Sequence, residues 1–509
     1  MRNASVVLLV MSLAILLLTG SSYAGWEAIV LTPSGDTSAC AYAVSGGQQG
    51  GYAYSSSYGT GTYGAPLNHA ALWMGSSSSF VDLNPARFVT SQVNGIGGGQ
   101  QVGFAETICG MMSEHAALWN GSSNSFVDLT PSGYTTSCAY GVSNGQQVGV
   151  IYGPPTSSTY HAVLWSGTAS SFIDLSPNVP NNVGSYAYAI NNGQQAGVVI
   201  EYNSQNSSNE CHAALWSGTS SSFVDLRPAG FAHAAAQGIS NGWQTGYGRG
   251  TVTGNYEHAL LWHGTSNSFV DLNPSGYRDS EANGISNGVE VGFAQGAPTG
   301  YFSHAGLWTG SAAGFVDLHA LLPAGAYSQS CANGIDVSGS GEIWITGMAD
   351  NDAVTWHFVP GAVSGKIQLQ DYYPSVAGIT GAVEIQDSVG NILETHNIVL
   401  ASDGTYSFST PRTGAYTAAA KCWHWLAQAQ PVIVDSNGNG AVNFSLKNGD
   451  VNGDNFVEDQ DYALMGAAWY SVVGDANYNP SADLNGDGAV EDADYSIMGM
   501  NWYLGGDKF

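Results

Sequence analysis

Six times the chain spells a short segment that opens on histidine and closes on tryptophan. It reads HAALW at residues 69–73, 115–119 and 212–216, HAVLW at 161–165, HALLW at 258–262 and HAGLW at 304–308. The copies start 46, 46, 51, 46 and 46 residues apart, and a fixed period of this length marks a repeat architecture. Each copy is followed by a Gly/Ser loop and an FVDL or FIDL segment, at 80–83, 126–129, 172–175, 223–226, 269–272 and 315–318. A Pro or Gly turn, a short AxGIS-like segment and a relative of NGQQVGY complete the unit. Short apolar runs broken by Asn-Gly, Ser-Gly and Gly-Gly are strand and turn signals, so each unit offers a small set of short strands.

The two ends of the repeats complement each other. AVTWHF at 353–358 is a decayed tryptophan strand with no FVDL after it, and AIVLTP at 28–33 is an FVDL-Pro strand with no tryptophan strand before it. Together they make one more unit, closed by strands from both termini. Closure of this kind removes exposed sheet edges. The expectation is a mainly β chain that opens with a seven-bladed β-propeller over 25–360.

Period two places His69, Ala71 and Trp73 on one strand face. A hairpin from Trp73 to Phe80 then sets Ala71 opposite Asp82, with His69 diagonal to that aspartate and within side-chain reach. A histidine and an aspartate that recur together read as a hydrogen-bonded brace, because buried polar groups require partners. The histidines lack neighbouring His or Cys at metal-ligand spacing. The units resemble the HAF-type extracellular repeats of secreted bacterial proteins. The resemblance covers about 25–360 and implies export and repetition without an assigned chemistry.

Unrepeated charges in this region are few: Arg87, Arg227, Arg249 and Arg278, and acids such as Glu106, Glu114, Glu201, Glu210, Glu257, Glu290 and Asp336. No acid pair among them stands out as the two carboxylates of a glycosidase. The Tyr- and Ser-rich stretches 54–68, 152–160 and 201–210 are expected as loops gathered on one face, a surface suited to adaptable contacts.

Lys and Arg total 10 against 38 Asp and Glu, a formal charge of -28. That balance argues against nucleic acid and anionic membranes and suits cation binding. Residues 1–24 carry Arg2, an apolar run over 6–18 and small residues ending at Ala24, the pattern of a secretory signal peptide. Export without stable membrane insertion is expected, to an extracellular or cell-surface location. Export permits disulfides, but the spacing of Cys40, Cys109, Cys138, Cys211, Cys331 and Cys422 is irregular, and they read mainly as small buried residues.

Composition shifts after Pro360. Residues 361–448 alternate strands with Gly and Asp turns, as expected of a small β-sandwich. DGTYSF at 403–408 and the turn at 414–416 resemble a carboxypeptidase-regulatory-like, transthyretin-like module. KCWHW at 421–425 reads as a strand with alternating core aromatics, or as a sugar-stacking patch.

Residues 449–509 hold the most specific chemistry. The loop DVNGDNFVEDQD (450–461) offers Asp450, Asn452, Asp454, the backbone of Phe456, Glu458 and Asp461. The loop DLNGDGAVEDAD (483–494) offers Asp483, Asn485, Asp487, the backbone of Ala489, Glu491 and Asp494. Calcium takes six to eight oxygens from alternate positions of a tight loop, so two Ca2+ ions are expected. Asn455 and Gly488 fall where the loops must turn sharply. Helical stretches follow at 462–469 and 495–502. Two loop–helix units this similar resemble a type I dockerin, which implies a small α module, calcium and a cohesin-like partner. At the positions that discriminate partners stand Asp459-Gln460 and Asp492-Ala493, where cellulosomal examples often carry Ser-Thr.

The function expected from sequence is a secreted, non-catalytic binding or surface-scaffold protein. Its propeller loops would face a polysaccharide or cell-surface ligand, and its tail would attach it. The alternative is a secreted polysaccharide-active hydrolase or lyase.

Overall fold

The computed structural model describes residues 25–60, 66–107, 114–205, 207–410, 412, 414–435 and 438–509. The segment 1–24, expected to be a signal peptide, and Cys109 lie outside them. The protein is mainly β and divides into two compact units, Trp26–Phe358 and Val359–Phe509. Among the described residues no helix is long and apolar enough to cross a membrane.

In the first unit each repeat is one antiparallel sheet. The first sheet orders Ser38–Ser45, Gln48–Thr60, Pro66–Trp73 and Val81–Asp82. Later sheets repeat this order, beginning at Thr90–Gly97, Thr136–Ser143, Asn182–Asn191, Phe231–Ser240 and Tyr277–Ser286. The third and fourth are linked by one parallel pairing, Tyr160 with Gly184. The last sheet takes Ser330–Val337, Ile343–Ala349 and Asp352–Phe358 from the end of the unit, and Trp26–Val30 from its beginning. Trp26 pairs with Phe358 and Val30 with Val354.

The tryptophans of the repeat, Trp73, Trp119, Trp165, Trp216, Trp262, Trp308 and Trp356, are fully buried. They fill the gaps between neighbouring sheets together with residues such as Leu83 and Ala117 around Trp119. The brace expected from register is present. Ala71 pairs with Asp82, and His69 Nδ1 lies 2.7 Å from Asp82 Oδ2. The same contact joins His115 to Asp128, His161 to Asp174, His212 to Asp225, His258 to Asp271 and His304 to Asp317 at 2.7–2.9 Å. The other carboxylate oxygen accepts a backbone N–H two residues on, as from Asn84 to Asp82, so each aspartate also shapes its turn.

The first strand of every sheet in this unit breaks register at one shared place, for example between Ala41 and Ala43, Val93 and Gly95, or Ala332 and Gly334, and three of these strands break again near their start. A bulge frees one residue from the ladder and re-aims its side chain. Asn94, Asn283 and Asn333 stand there, and each donates its amide to a carbonyl of the next sheet: Ala139, Ala332 and Ala41, at 2.9, 2.9 and 3.0 Å. The third of these bonds joins the last sheet to the first.

A second recurring device predicts a stability change. Gln49 accepts the Gly75 N–H through Oε1 and donates Nε2 to the Gly47 carbonyl, and Gln101, Gln147, Gln195 and Gln244 do the same in their sheets. Glu290 takes this place in its own sheet and accepts the Gly310 N–H at 2.7 Å. Burial pushes its carboxyl up to about 7. The stability it contributes is fully present below the ordinary glutamate value of 4.5 and is lost as pH rises from there through about 7. Glu290→Gln should therefore stabilise the unit by about 2–3 kcal/mol at pH 8 and much less at pH 5, read by thermal unfolding at both pH values.

The expectation of loops needs correction. Stretches 54–68 and 201–210 are in large part not loops: the hairpin arms run on through Gln48–Thr60 and Pro66–Trp73, and through Gln194–Asn203 and Ser208–Trp216. Pairing with the opposite arm satisfies the backbone whatever the side chains. Cys40, Cys138 and Cys422 are buried, but Cys211 and Cys331 are only partly so, and all five are free thiols.

In the second unit, two sheets enclose one core. One contains Thr405–Ser409, Ala362–Leu369, Gly440–Ala441 and Phe444–Leu446; the other runs Ile392–Val399, Thr380–Gln386, Gly414–Cys422 and Gln428–Val434. Val363, Ile367, Val383, Ile385 and Trp425 meet between them. The aromatics of KCWHW do not alternate as expected. The strand stops at Cys422, so His424 and Trp425 turn inward together while Trp423 is 49% exposed.

Candidate functional site

The second unit ends in two loop–helix pairs. Helix α1 spans Asp459–Ala467 and α2 spans Asp492–Met500, each starting three residues before the predicted stretch, because the last turn of the loop is already helical. Their packing core joins Val457, Met465, Leu484, Val490, Ile497 and Met498.

Both loops carry one hydrogen-bond pattern. Asp450 Oδ1 accepts the Gly453 N–H at 2.7 Å and Oδ2 accepts the Asn455 N–H at 2.9 Å. Asp483 accepts the Gly486 and Gly488 N–H groups at 2.9 Å each. The side chains of Asn452 and Asn485 fold back on the Asp454 and Asp487 N–H groups at 2.8 Å. The last acids close the loops: Asp461 accepts from Asn452 and Glu458, and Asp494 from Leu484, Asn485 and Glu491. Asn455 and Gly488 adopt positive φ, 72° and 94°, as the sharp turn requires.

Asp450, Asp461 and Asp494 are fully buried and Asp483 and Asn485 nearly so, whereas Asp454 and Asp487 are exposed. Burial, reinforced by Asp450 beside Asp461 and Asp483 beside Asp494, holds the last carboxyl of each loop above the usual range. Among the described residues no three acids, histidines or cysteines yet stand together as a metal cluster. The backbone N–H groups claim their oxygens. The donor set is nonetheless one of hard oxygens on alternate positions, which fits calcium and not softer ions. A bound ion would bring positive charge to these buried carboxylates. Asp450, Asn452, Asp454, Glu458, Asp461 and the Phe456 carbonyl would hold it in the first loop. Asp483, Asn485, Asp487, Glu491, Asp494 and the Ala489 carbonyl would do so in the second.

Two sites in the repeat unit emerge only from the fold. Thr253 and Thr299 each close a short turn by donating to the carbonyls of Tyr256 and Phe302, at 2.6 and 2.7 Å. These turns leave Tyr256 and Tyr301 exposed, with the Arg278 guanidinium between their rings at 5.4 and 5.5 Å from the centroids. With His258, Asn273 and Tyr277 they line an open cleft of about 370 Å³. Elsewhere Glu281 is hydrogen-bonded to Glu257. Burial, and then that neighbouring carboxylate, push Glu281 up to about 7. This is an acid pair that sequence reasoning missed.

Residues 448–500 match the dockerin type I domain family. The tail is thus a type I dockerin domain, and dockerin domains bind calcium. No curated protein matches the chain. Among solved structures, a mutant type II cohesin–X-dockerin complex from Acetivibrio cellulolyticus is 21% identical, over 29% of this chain and 99% of that one, with a TM-score of 0.25. The β-propeller domain of the Trilobed protease from Pyrococcus furiosus is 8% identical, over 63% and 94%, with a TM-score of 0.42. The acylaminoacyl peptidase of Pyrococcus horikoshii is 9% identical, over 64% and 52%, with a TM-score of 0.39.

Proposed function

We propose that this is a secreted, non-catalytic binding or surface-scaffold protein, fastened through its calcium-loaded tail to a cohesin-like partner. The observation that carries the proposal is the pair of matching oxygen-rich loops within the residues that fit the dockerin family. The repeat unit acts as a closed seven-bladed propeller. The pairing of Trp26–Val30 with Asp352–Phe358 supports closure, as does the Asn333–Ala41 bond. Its ligand is a carbohydrate, and the Tyr256–Arg278–Tyr301 cleft supports that assignment. Exposed rings stack on sugar faces, and Arg278 bonds Asp279 through Nε, leaving the rest of its planar fork to donate to hydroxyl or carboxylate oxygens.

The test uses the full chain, a panel of purified cohesins and a glycan array. Cohesin binding should appear in calcium and vanish in chelator. Glycan binding should persist in chelator and drop at least about tenfold in Tyr256→Ala/Arg278→Ala. Cohesin binding that survived chelator, or glycan binding unchanged in the double variant, would overturn the respective half of the proposal.

The Glu257–Glu281 pair favours a second reading, a polysaccharide-active enzyme, since a carboxyl raised to about 7 suits a general acid. Reducing-end release that disappears in Glu281→Gln would establish it in place of the first.

A further inference from the structure

The first aspartates of the two calcium loops differ in the partner of one oxygen. The outer oxygen of Asp483 accepts the Tyr478 hydroxyl at 2.7 Å, a neutral donor from the segment just before its own loop. The same oxygen of Asp450 accepts Lys421 Nζ at 2.6 Å, a full charge brought from the strand Gly414–Cys422 of the neighbouring sheet. Lys421 is itself held in place: its ammonium also donates to the Trp425 carbonyl at 3.1 Å, and its side chain is only 16% exposed. Asp450 is fully buried, so solvent screens this pair weakly. Further bonds tie the first loop to the same sheet region, from the Asp450 N–H to the His424 carbonyl at 3.1 Å and from the Ala427 N–H to Asn455 Oδ1 at 2.7 Å.

We propose that Lys421 is a built-in counter-ion of the first calcium loop, which keeps that loop folded without the metal and makes it the weaker of the two calcium sites. The chemistry is direct. A buried carboxylate without a positive partner is costly, so Lys421 stabilises the ion-free form. Once a divalent ion arrives, the same ammonium stands one carboxylate away and repels it. Both effects lower the affinity of the first loop, and neither acts on the second. The inference rests on calcium occupying both loops and not on any partner of the tail.

The full chain tests it. With the second loop disabled by Asp483→Ala/Asp494→Ala, competition against a fluorescent chelator reads the first loop alone; Asp450→Ala/Asp461→Ala leaves the second loop alone. The first loop should bind at least about tenfold more weakly than the second. Lys421→Gln should raise the affinity of the first loop by about tenfold while leaving the second unchanged. It should also lower the melting temperature of the chain in chelator more than in saturating calcium. Equal or reversed affinities of the two loops would overturn the proposal even if Lys421→Gln failed to fold. So would a Lys421→Gln chain whose first loop binds no better than the parent's, or no binding at either loop.

Discussion

Calcium titration of the full chain should register two ions, and Asp461→Ala or Asp494→Ala should each remove about one of them together with the helical order that follows that loop. These two residues close their loops by accepting the N–H groups of Glu458 and Glu491, the N-cap residues immediately before α1 and α2. Each carboxylate therefore links ion, loop and first helical turn, and alanine removes all three connections at once. Metal-binding free energy in such a domain contributes to folding free energy, so the loss should be nearly complete for the second half and smaller for the first, whose loop Lys421 supports without the ion. Titration calorimetry counts the ions, and circular dichroism in calcium and in chelator follows the helices. The Trp26–Phe358 unit has its own buried tryptophans and should hold its melting temperature in chelator. A double variant that still bound two ions would refute the ligand assignment.

Removal of residues 25–33 should be as damaging to the first unit. The strand Trp26–Val30 supplies the outer partner of Asp352–Phe358, Leu31 donates its N–H to the Ala353 carbonyl at 2.7 Å, and the Leu31 side chain is buried in the core with Trp73 and Ala353. The deletion empties the Leu31 site, worth about 2–5 kcal/mol, and leaves a full strand of unpaired backbone groups on a new edge. Melting should fall by roughly 10 °C or more and broaden. If the shortened chain melted like the parent, the terminal strand would have no closing role.

Period and register were readable along the chain because they are local. Alternation placed the histidine diagonal to its aspartate before any coordinates, and the bond is where that register puts it. The loop positions of the calcium ligands were equally local. What escaped was contact between elements. Glu281 stands at the place in its sheet where Cys40, Gln92, Cys138, Tyr186, Ala235 and Cys331 stand in theirs, with no repeated acid to draw attention to it. Its partner Glu257 belongs to the preceding repeat, and only the packing of adjacent sheets brings them together. Lys421 reaches Asp450 from another sheet for the same reason. In the hairpin arms Tyr, Ser and Gly composition weighs against a strand, whereas cross-strand pairing such as Glu201 with Glu210 overrides it.

The exit of the chain from the first unit has a mechanical consequence. The tail departs from the end of Asp352–Phe358, a strand flanked on one side by Ile343–Ala349 and on the other by Trp26–Val30. When a tethered molecule is pulled through its tail, tension enters a strand clamped along both edges, so many hydrogen bonds must shear together before it moves. Without the amino-terminal strand the same tension would act on a free edge and could unzip it one bond at a time. The first residues of the folded chain thus serve as the anchor bolt for everything attached to its last.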